Sequence, residues 1–207
     1  MENKTESFNQ SFLDGIKTFE GDLDYQQNVS GSFSGNRFMP YYDPRGEYLM
    51  IGYGHKLDGD LSNYVQGITI EEAESLLISD LKEAYNKASK NYYNFEDLKP
   101  KAKEALVDMY FSLGDDVNKL NDFNRELSNG NIVSAAKYLQ HTEPGDLDYN
   151  RVNTDYFSSH PERAMKNIGK LIESTFEERE DLDNVVMDLV VEVDEDPFTI
   201  KANNENR

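Results

Sequence analysis

Cysteine is absent from this chain of 207 residues, and histidine occurs only three times. The lack of cysteine excludes a disulfide framework. Three histidines without any thiolate offer few ligands for zinc, so we expect no metal site. No apolar run approaches the roughly 20 residues that span a bilayer, so we expect no membrane insertion. The polar residues 1–6 also lack the apolar stretch of a signal peptide, and we expect none.

Positive charge is scarce as well. The chain has 21 Lys and Arg against 40 Asp and Glu, which gives a net charge of -19. This sign excludes nucleic acid as a partner, because a phosphate backbone would be repelled. Any other polyanionic substrate would also be repelled unless salt screens the charge or a partner holds the protein in place. The acidity is also compatible with solubility alone, but we favour a tethering partner.

A helix is expected just upstream of the first candidate acid. Residues 11–20 place Phe12, Leu13, Ile16 and Phe19 on one face of a helix. A glycine follows at position 21 and is typical of a helix end. Glu20 should therefore lie at the end of an amphipathic helix, beside its apolar stripe.

The next part of the chain predicts a small sheet followed by a long helix. Residues 22–37 are polar and rich in Ser, Gly and Asn, which indicates an extended loop or hairpin. Residues 38–55 carry strand formers interrupted by a turn at 43–46, so we expect a small antiparallel sheet. Thr69 and Glu72 have the spacing of a capping box, and a helix should run from there to about residue 90.

The remaining chain predicts a helical lobe and an acidic extension. Apolar residues at helical spacing between 102 and 113 indicate a buried central helix, and further helices are expected at 131–139 and 161–168. We predict one domain over 1–176, with lobes of about 1–90 and 91–176, and an extension over 177–207. Residues 185–193 could form a strand that adds to a partner's sheet edge, or they could fold back on the domain.

Two carboxylates carry the functional argument. Glu20 and Asp43 flank a short glycine-punctuated β segment, and a pair of acids is what glycoside hydrolysis requires. A single Glu at a helix end is more often an ordinary solvated residue. An Asp before Pro44 is often occupied in bonding its own turn, a role that would also fix the aim of its carboxylate.

The motifs around these acids resemble a known family. Phe19-Glu20-Gly21, Tyr42-Asp43-Pro44-Arg45-Gly46 and Met50-Ile51-Gly52-Tyr53-Gly54-His55 are similar to the phage-type lysozymes, glycoside hydrolase family 24. That family's signature runs Glu-Gly, then Tyr-x-Asp-x-x-Gly, then Thr-Ile-Gly-x-Gly-His. Shorter matches in the same order extend the resemblance over about 12–172. It implies an α+β, mainly α fold with a small antiparallel sheet lobe, a larger helical lobe and a cleft between them.

The resemblance also implies an activity and roles for residues. It implies a muramidase that cleaves the β-1,4 bond between N-acetylmuramic acid and N-acetylglucosamine in peptidoglycan without a cofactor. Glu20 matches the general acid, and Asp43 matches the second carboxylate. Arg163 matches an arginine that approaches the acid, and Gly52 and Gly54 match backbone requirements beside it.

Other matched positions are structural or bind the sugar. His55 and Asp80 match a buried ion pair, which we take as structural. Phe111, Glu126 and Tyr138 match positions that line the sugar cleft, and only Phe111 keeps the family's residue type.

Two departures keep alternatives open. Met50 stands where the family has a threonine whose hydroxyl helps to hold the attacking water, and a thioether is at best a weak acceptor. The link between Glu20 and Asp43 is also longer than in the family. The chain could therefore be a weakened or inactive lysozyme-like structural or wall-binding part of a phage virion. It could also be a lytic transglycosylase, which needs one acid and no positioned water.

Delivery and partners follow from the same resemblance. We expect a phage-encoded protein, located in the virion or in the host cytoplasm, that is delivered to the cell wall by other means. A phage tail or baseplate protein could hold it through the C-terminal extension, and peptidoglycan would be its substrate.

Overall fold

The computed structural model describes residues 8–43, 46–59, 61–140 and 154–176. These residues are mostly helical and contain two small antiparallel sheets. The α+β, mainly α prediction is confirmed. The helices are α1 Gln10–Glu20, α2 Leu23–Tyr25, α3 Ile70–Asn91, α4 Pro100–Leu113, α5 Asn121–Ser128, α6 Ile132–Gln140, α7 Asp155–Ser159 and α8 Pro161–Glu173. The strands are β1 Phe33–Ser34, β2 Arg37–Phe38, β3 Tyr41–Tyr42, β4 Leu49–Ile51 and β5 His55–Lys56.

Helix α1 forms as its sequence predicts. The side chain of Asn9 caps it by accepting a hydrogen bond from the Phe12 amide at 2.9 Å. Phe12 and Ile16 are buried on one face. Gly21 ends the helix at a φ of 88°, a conformation that favours glycine. The last residue of α1 is therefore Glu20, as expected.

The prediction of an extended loop or hairpin over 22–37 is wrong in its first half. Asp22 accepts a hydrogen bond from the Tyr25 amide at 3.0 Å and starts the short helix α2. A π-helical turn over Gln26–Ser30 follows. The hairpin appears only in the second half, where Phe33 pairs with Phe38.

A buried glutamine explains why this segment is helical. The Gln26 side chain donates to the Gly21 carbonyl at 2.9 Å and to the Gly52 carbonyl at 3.0 Å. It also accepts from the Ser32 hydroxyl at 2.9 Å. These bonds attach the segment to the end of α1 and to the glycine-rich turn after β4, an anchor that local composition does not reveal.

The three-stranded sheet, in the order β3-β4-β5, forms as predicted. Tyr41 pairs with Met50, and Met50 pairs with Lys56. Side chains alternate between the faces of a strand, so these three residues share one face. Ile51 points to the other face and is fully buried. Gly52 follows at a φ of 61°, and a Cβ there would lie 3.0 Å from the Cβ of Ala73 in α3.

The long helix and the central helix are also confirmed. Thr69 and Glu72 form the predicted capping box of α3, with both reciprocal hydrogen bonds present. Helix α4 is buried along most of its length and packs against α3 and α8.

The first compact unit of the chain ends at Thr175. Residues 177–207, with the predicted extension and its strand, lie outside the described residues, so the boundary at 176 stays a prediction. No helix in the described ranges is both long and apolar enough to cross a membrane.

Candidate active site

A cleft of about 550 Å³ opens beside the end of α1. The β4–β5 hairpin, α3, α4 and α8 contribute its walls. Its lining includes seven residues that the sequence analysis singles out, and Lys56, which directly follows the motif. The seven are Glu20, Met50, Gly54, His55, Asp80, Phe111 and Arg163. Most of the predicted site residues therefore line one cleft.

Glu20 lies in this cleft with 18% of its side chain exposed. Burial raises its pKa above the ordinary value for a glutamic acid, because desolvation penalises the charged form. Arg163 acts in the opposite direction, since its Nη1 donates to Glu20 Oε1 at 2.6 Å. The effect of burial is the larger of the two, so the net shift of the Glu20 pKa is upward.

Gly54 fits closely around the same carboxylate. Its φ is 85°, and a Cβ built on it would lie 2.8 Å from Glu20 Oε2 and 3.6 Å from Met50 Cε. Any side chain here would displace Glu20, so the glycine is required by both backbone conformation and close approach.

Arg163 is held on several sides. Only 7% of its side chain is exposed. Its Nε and Nη2 donate to Asp108 Oδ1 at 2.9 and 2.6 Å. Its Cζ lies 5.3 Å from the ring centre of Phe19 and 5.6 Å from that of Phe111, within cation–π range. The arginine thus links α8 to both α1 and α4.

Asp108 is a site residue that the sequence reasoning missed. It lies in α4 with 1% of its side chain exposed, and Asn167 Nδ2 donates to its Oδ2 at 2.6 Å. The same Asn167 nitrogen lies 2.9 Å from the Tyr156 hydroxyl. A signal was present, because a lone acid in the apolar stretch between Ala105 and Met109 must be paired if it is buried.

Met50 faces the cleft from β4. Its thioether therefore lies beside the acid, at the position where the resemblance expects a hydroxyl. The hydroxyl of Tyr41, its cross-strand neighbour, donates to the Gly52 carbonyl at 3.3 Å. Burial, followed by the charge of Glu20, raises the pKa of Tyr41 to about 12. The sequence reasoning did not single out this tyrosine.

Asp43 is outside the set that lines the cleft around Glu20. Its Oδ1 accepts from the Tyr48 amide at 2.7 Å, and its carbonyl accepts from the Gly46 amide at 2.8 Å. This is the turn-forming role that an Asp before Pro44 often has. Asp43 lies two residues after Tyr41, which pairs with Met50. If side chains continue to alternate between the two faces beyond the end of β3, Asp43 lies on the same face as Met50.

His55 and Asp80 are in contact. His55 Nδ1 lies 2.9 Å from Asp80 Oδ2, and 26% of each side chain is exposed. The hydrogen bond to Asp80 raises the pKa of His55. The contact joins β5 to α3 at the wall of the cleft.

The structure does not bring Glu126 and Tyr138 to the cleft beside Glu20. Glu126 accepts from Arg125 Nε at 3.1 Å and from Asn131 Nδ2 at 2.9 Å. Arg125 lies 5.6 Å from the ring centre of Tyr138. The two residues therefore belong to a separate group on α5 and α6, and their role in sugar binding stays a prediction.

A metal ion would need a group of at least three suitable side chains. Within the described ranges, no three or more His, Asp or Glu side chains are grouped suitably.

Comparison with known proteins adds to this geometry. The family model described as "Phage lysozyme" matches residues 31–145. No curated protein sequence matches the chain. Among solved structures, the muramidase domain of SpmX from Asticaccaulis excentricus matches with a TM-score of 0.54 and 20% identity. That alignment covers 81% of this chain and 98% of the other, and it shows a shared fold.

The match to the family covers more than half of the chain. It includes the segment from Asp43 to His55 and extends past Phe111, whereas Glu20 and Arg163 lie outside it. Glu20 and Arg163 nevertheless line the same cleft as residues of the matched region. The chain belongs to the phage lysozyme family.

Proposed function

We propose that this protein is a muramidase that hydrolyses the β-1,4 bond between N-acetylmuramic acid and N-acetylglucosamine in peptidoglycan. The observation that carries the proposal is Glu20, an acid in a family-type cleft whose burial raises its pKa. Such an acid can be protonated near neutral pH and can donate to a leaving glycosidic oxygen.

The contacts of Glu20 suggest which oxygen carries the proton. Oε1 accepts a hydrogen bond from Arg163, so it is the oxygen that holds negative charge most easily. Oε2 lies toward Gly54 and the cleft. We infer that the proton resides on Oε2 and passes from there to the glycosidic oxygen, which leaves the carboxylate stabilised by Arg163.

Asp43 is the proposed second carboxylate. Its bond from the Tyr48 amide holds the carboxylate in one orientation, so the turn role and the catalytic role are compatible. In this role Asp43 would stabilise the oxocarbenium-like transition state or orient water on the other face of the sugar.

A lytic transglycosylase is the second candidate, and Met50 favours it. A methionine in the cleft supplies no hydroxyl to hold an attacking water. In a transglycosylase the muramic acid's own 6-hydroxyl attacks the anomeric carbon, so no bound water is needed and an anhydro sugar is formed. A lysozyme-like domain that has lost catalysis is the third possibility.

One experiment separates these functions. Purified peptidoglycan is incubated with the wild type, with Glu20→Gln and with Glu47→Gln, and the products are identified by mass spectrometry. Glu47 is an exposed glutamate on the β3–β4 hairpin and serves as the matched control. Reducing muropeptides from the wild type and the control, but not from Glu20→Gln, support the muramidase.

The other outcomes are equally informative. Anhydro muropeptides would establish the transglycosylase instead. No products from a wild type shown to be folded would refute both enzymatic proposals and support a structural or wall-binding role.

We also propose that the protein is part of a phage particle, held by a tail or baseplate protein through residues 177–207. A net charge of -19 supports this, because free diffusion to an anionic wall is electrostatically unfavourable. Binding of the full chain, compared with a chain lacking 177–207, to isolated phage tails tests the proposal. Equal binding of the two would contradict it.

A further inference from the structure

Asp108 is a buried charge that the hydrolysis mechanism above does not use. It lies within α4, which packs against α8, and its side chain is 1% exposed. An unpaired carboxylate is strongly unfavourable in such surroundings. Its presence in an apolar stretch of helix therefore calls for a specific reason.

Its main contact is Arg163. Asp108 Oδ1 accepts from Nε at 2.9 Å and from Nη2 at 2.6 Å, while the third nitrogen, Nη1, donates to Glu20 at 2.6 Å. A guanidinium is planar and rigid, so holding two of its nitrogens determines where the third one points. The aspartate thus directs Arg163 toward Glu20.

The charge of Asp108 also acts on Glu20, because it raises the pKa of that carboxyl group. An arginine that was not offset by another anion would stabilise the carboxylate form of Glu20. An adjacent cation of that kind lowers a carboxyl pKa by about 1–3 units. A general acid must instead carry a proton, and Asp108 supplies a negative charge that offsets part of the arginine's effect and adds to the larger effect of burial.

Hydrogen bonding distinguishes the two acids from each other. Asp108 accepts two bonds from Arg163 and one from Asn167, and such bonds stabilise a charged carboxylate. Glu20 accepts one bond from Arg163, and its other oxygen lies toward the cleft. Of the two acids, Glu20 is therefore the one with an oxygen directed to the cleft, where it can pass a proton to a substrate.

We propose that Asp108 is a positioning residue of the active site, which aims Arg163 at Glu20 and offsets the arginine's charge so that Glu20 can hold the proton it donates. The proposal rests on the proposed muramidase function only in treating Glu20 as the acid.

Several other charged groups lie near Asp108 or Glu20, and one of them, Lys170 of α8, interacts electrostatically with Asp108. From α8, Lys166 lies 5.0 Å from the ring centre of Phe19, and from β3, Tyr41 interacts with Glu20 electrostatically. Across the cleft Lys56 pairs with Asp58, Lys87 with Glu83, and His55 with Asp80, and His160 completes the wall. A substitution at Asp108 leaves all of these groups in place.

The test measures the protonation of Glu20 directly, with carboxyl-labelled protein and ¹³C NMR titration of the full chain. The variants are Asp108→Asn, which removes the charge with little change of shape, and Tyr156→Phe. Tyr156 contacts Asn167 in the same buried cluster, so its variant perturbs the packing and leaves the charge unchanged. The pH dependence of peptidoglycan hydrolysis is recorded for the same proteins.

In Asp108→Asn we expect the Glu20 titration midpoint to fall by up to about 1 pH unit, because the negative charge that opposes ionisation of Glu20 is gone, while burial and Arg163 still act on it. The alkaline limb of the activity profile should move down by the same amount. Tyr156→Phe should leave both where they are in the wild type. A folded Asp108→Asn with an unchanged Glu20 midpoint would overturn the proposal.

A second variant is used if Asp108→Asn does not fold. Asp108→Ser also removes the charge with a smaller side chain, and we expect the Glu20 midpoint to fall in it as well. A folded Asp108→Ser with an unchanged Glu20 midpoint would overturn the proposal. The NMR titration needs no substrate, so a wild type without hydrolytic activity would refute the proposed function, while the titration would still test the role of Asp108.

Discussion

Replacing Gly54 by alanine tests the geometry of the acid most directly. The new Cβ would lie 2.8 Å from Glu20 Oε2, whereas ordinary van der Waals contact begins at 3.4 Å. The carboxylate must therefore retreat by about 0.6 Å, and a misplacement of about 1 Å costs on the order of 10²-fold in rate. We expect the hydrolysis rate to fall roughly tenfold.

Backbone strain accompanies this change and needs its own control. Gly54 has a φ of 85°, where a residue with a Cβ is disfavoured by about 1–2 kcal/mol. Gly130 has a φ of 79°, and a Cβ there would meet nothing within 4 Å. Gly130→Ala therefore carries similar strain without approaching the acid.

The assay compares the two variants with the wild type. Melting temperatures should fall by about 2–8 °C in both, since 1 kcal/mol corresponds to about 2–4 °C in a protein of this size. Release of reducing ends from peptidoglycan should fall roughly tenfold in Gly54→Ala only. Equal rates for the two variants would show that Oε2 is not the atom that delivers the proton.

Three further predictions concern the water site, the ion pair and the extension. Met50→Thr should raise the rate of reducing-end release, because it supplies a hydroxyl that can hold water; an unchanged or lower rate would contradict this account. Asp80→Asn should lower the melting temperature most below the ordinary histidine pKa. Asp80 raises the pKa of His55, so the stability that the pair contributes is present there and is lost as pH rises through the folded-state pKa. A loss that grows with rising pH would oppose that assignment. Removal of residues 180–207 should leave the melting temperature nearly unchanged if this segment serves to dock a partner, and a large drop would mean that it packs on the core.

The predictable parts of the fold depend on contacts between near neighbours in the chain. Helix α1 and its glycine end follow from apolar spacing and from the backbone freedom of Gly21. The capping box of α3 needs only Thr69 and Glu72, three residues apart. The polar composition of residues 22–37 predicts an extended chain, but Asp22 starts a helix, because an aspartate is itself a good helix cap.

Candidate site residues were predictable where a family motif carried them. The resemblance singled out Glu20, Met50, Gly54, His55 and Arg163, and the structure gathers them around one cleft. The same reasoning did not separate these residues from Glu126 and Tyr138, which lie on α5 and α6. A match to a family motif says where a residue stands along the chain. It does not give the distance between two side chains, because that distance depends on how the helices pack.

The sequence by itself determined the helix and strand positions that local periodicity and capping control, and it determined which acid was worth examining. Only the tertiary structure decided the state of that acid. Glu20 and Arg163 are 143 residues apart in the chain, and Arg163 and Asp108 are 55 apart. The pKa of a carboxyl group depends on burial and on charges within a few ångströms, and packing of α1, α4 and α8 brings these three groups together.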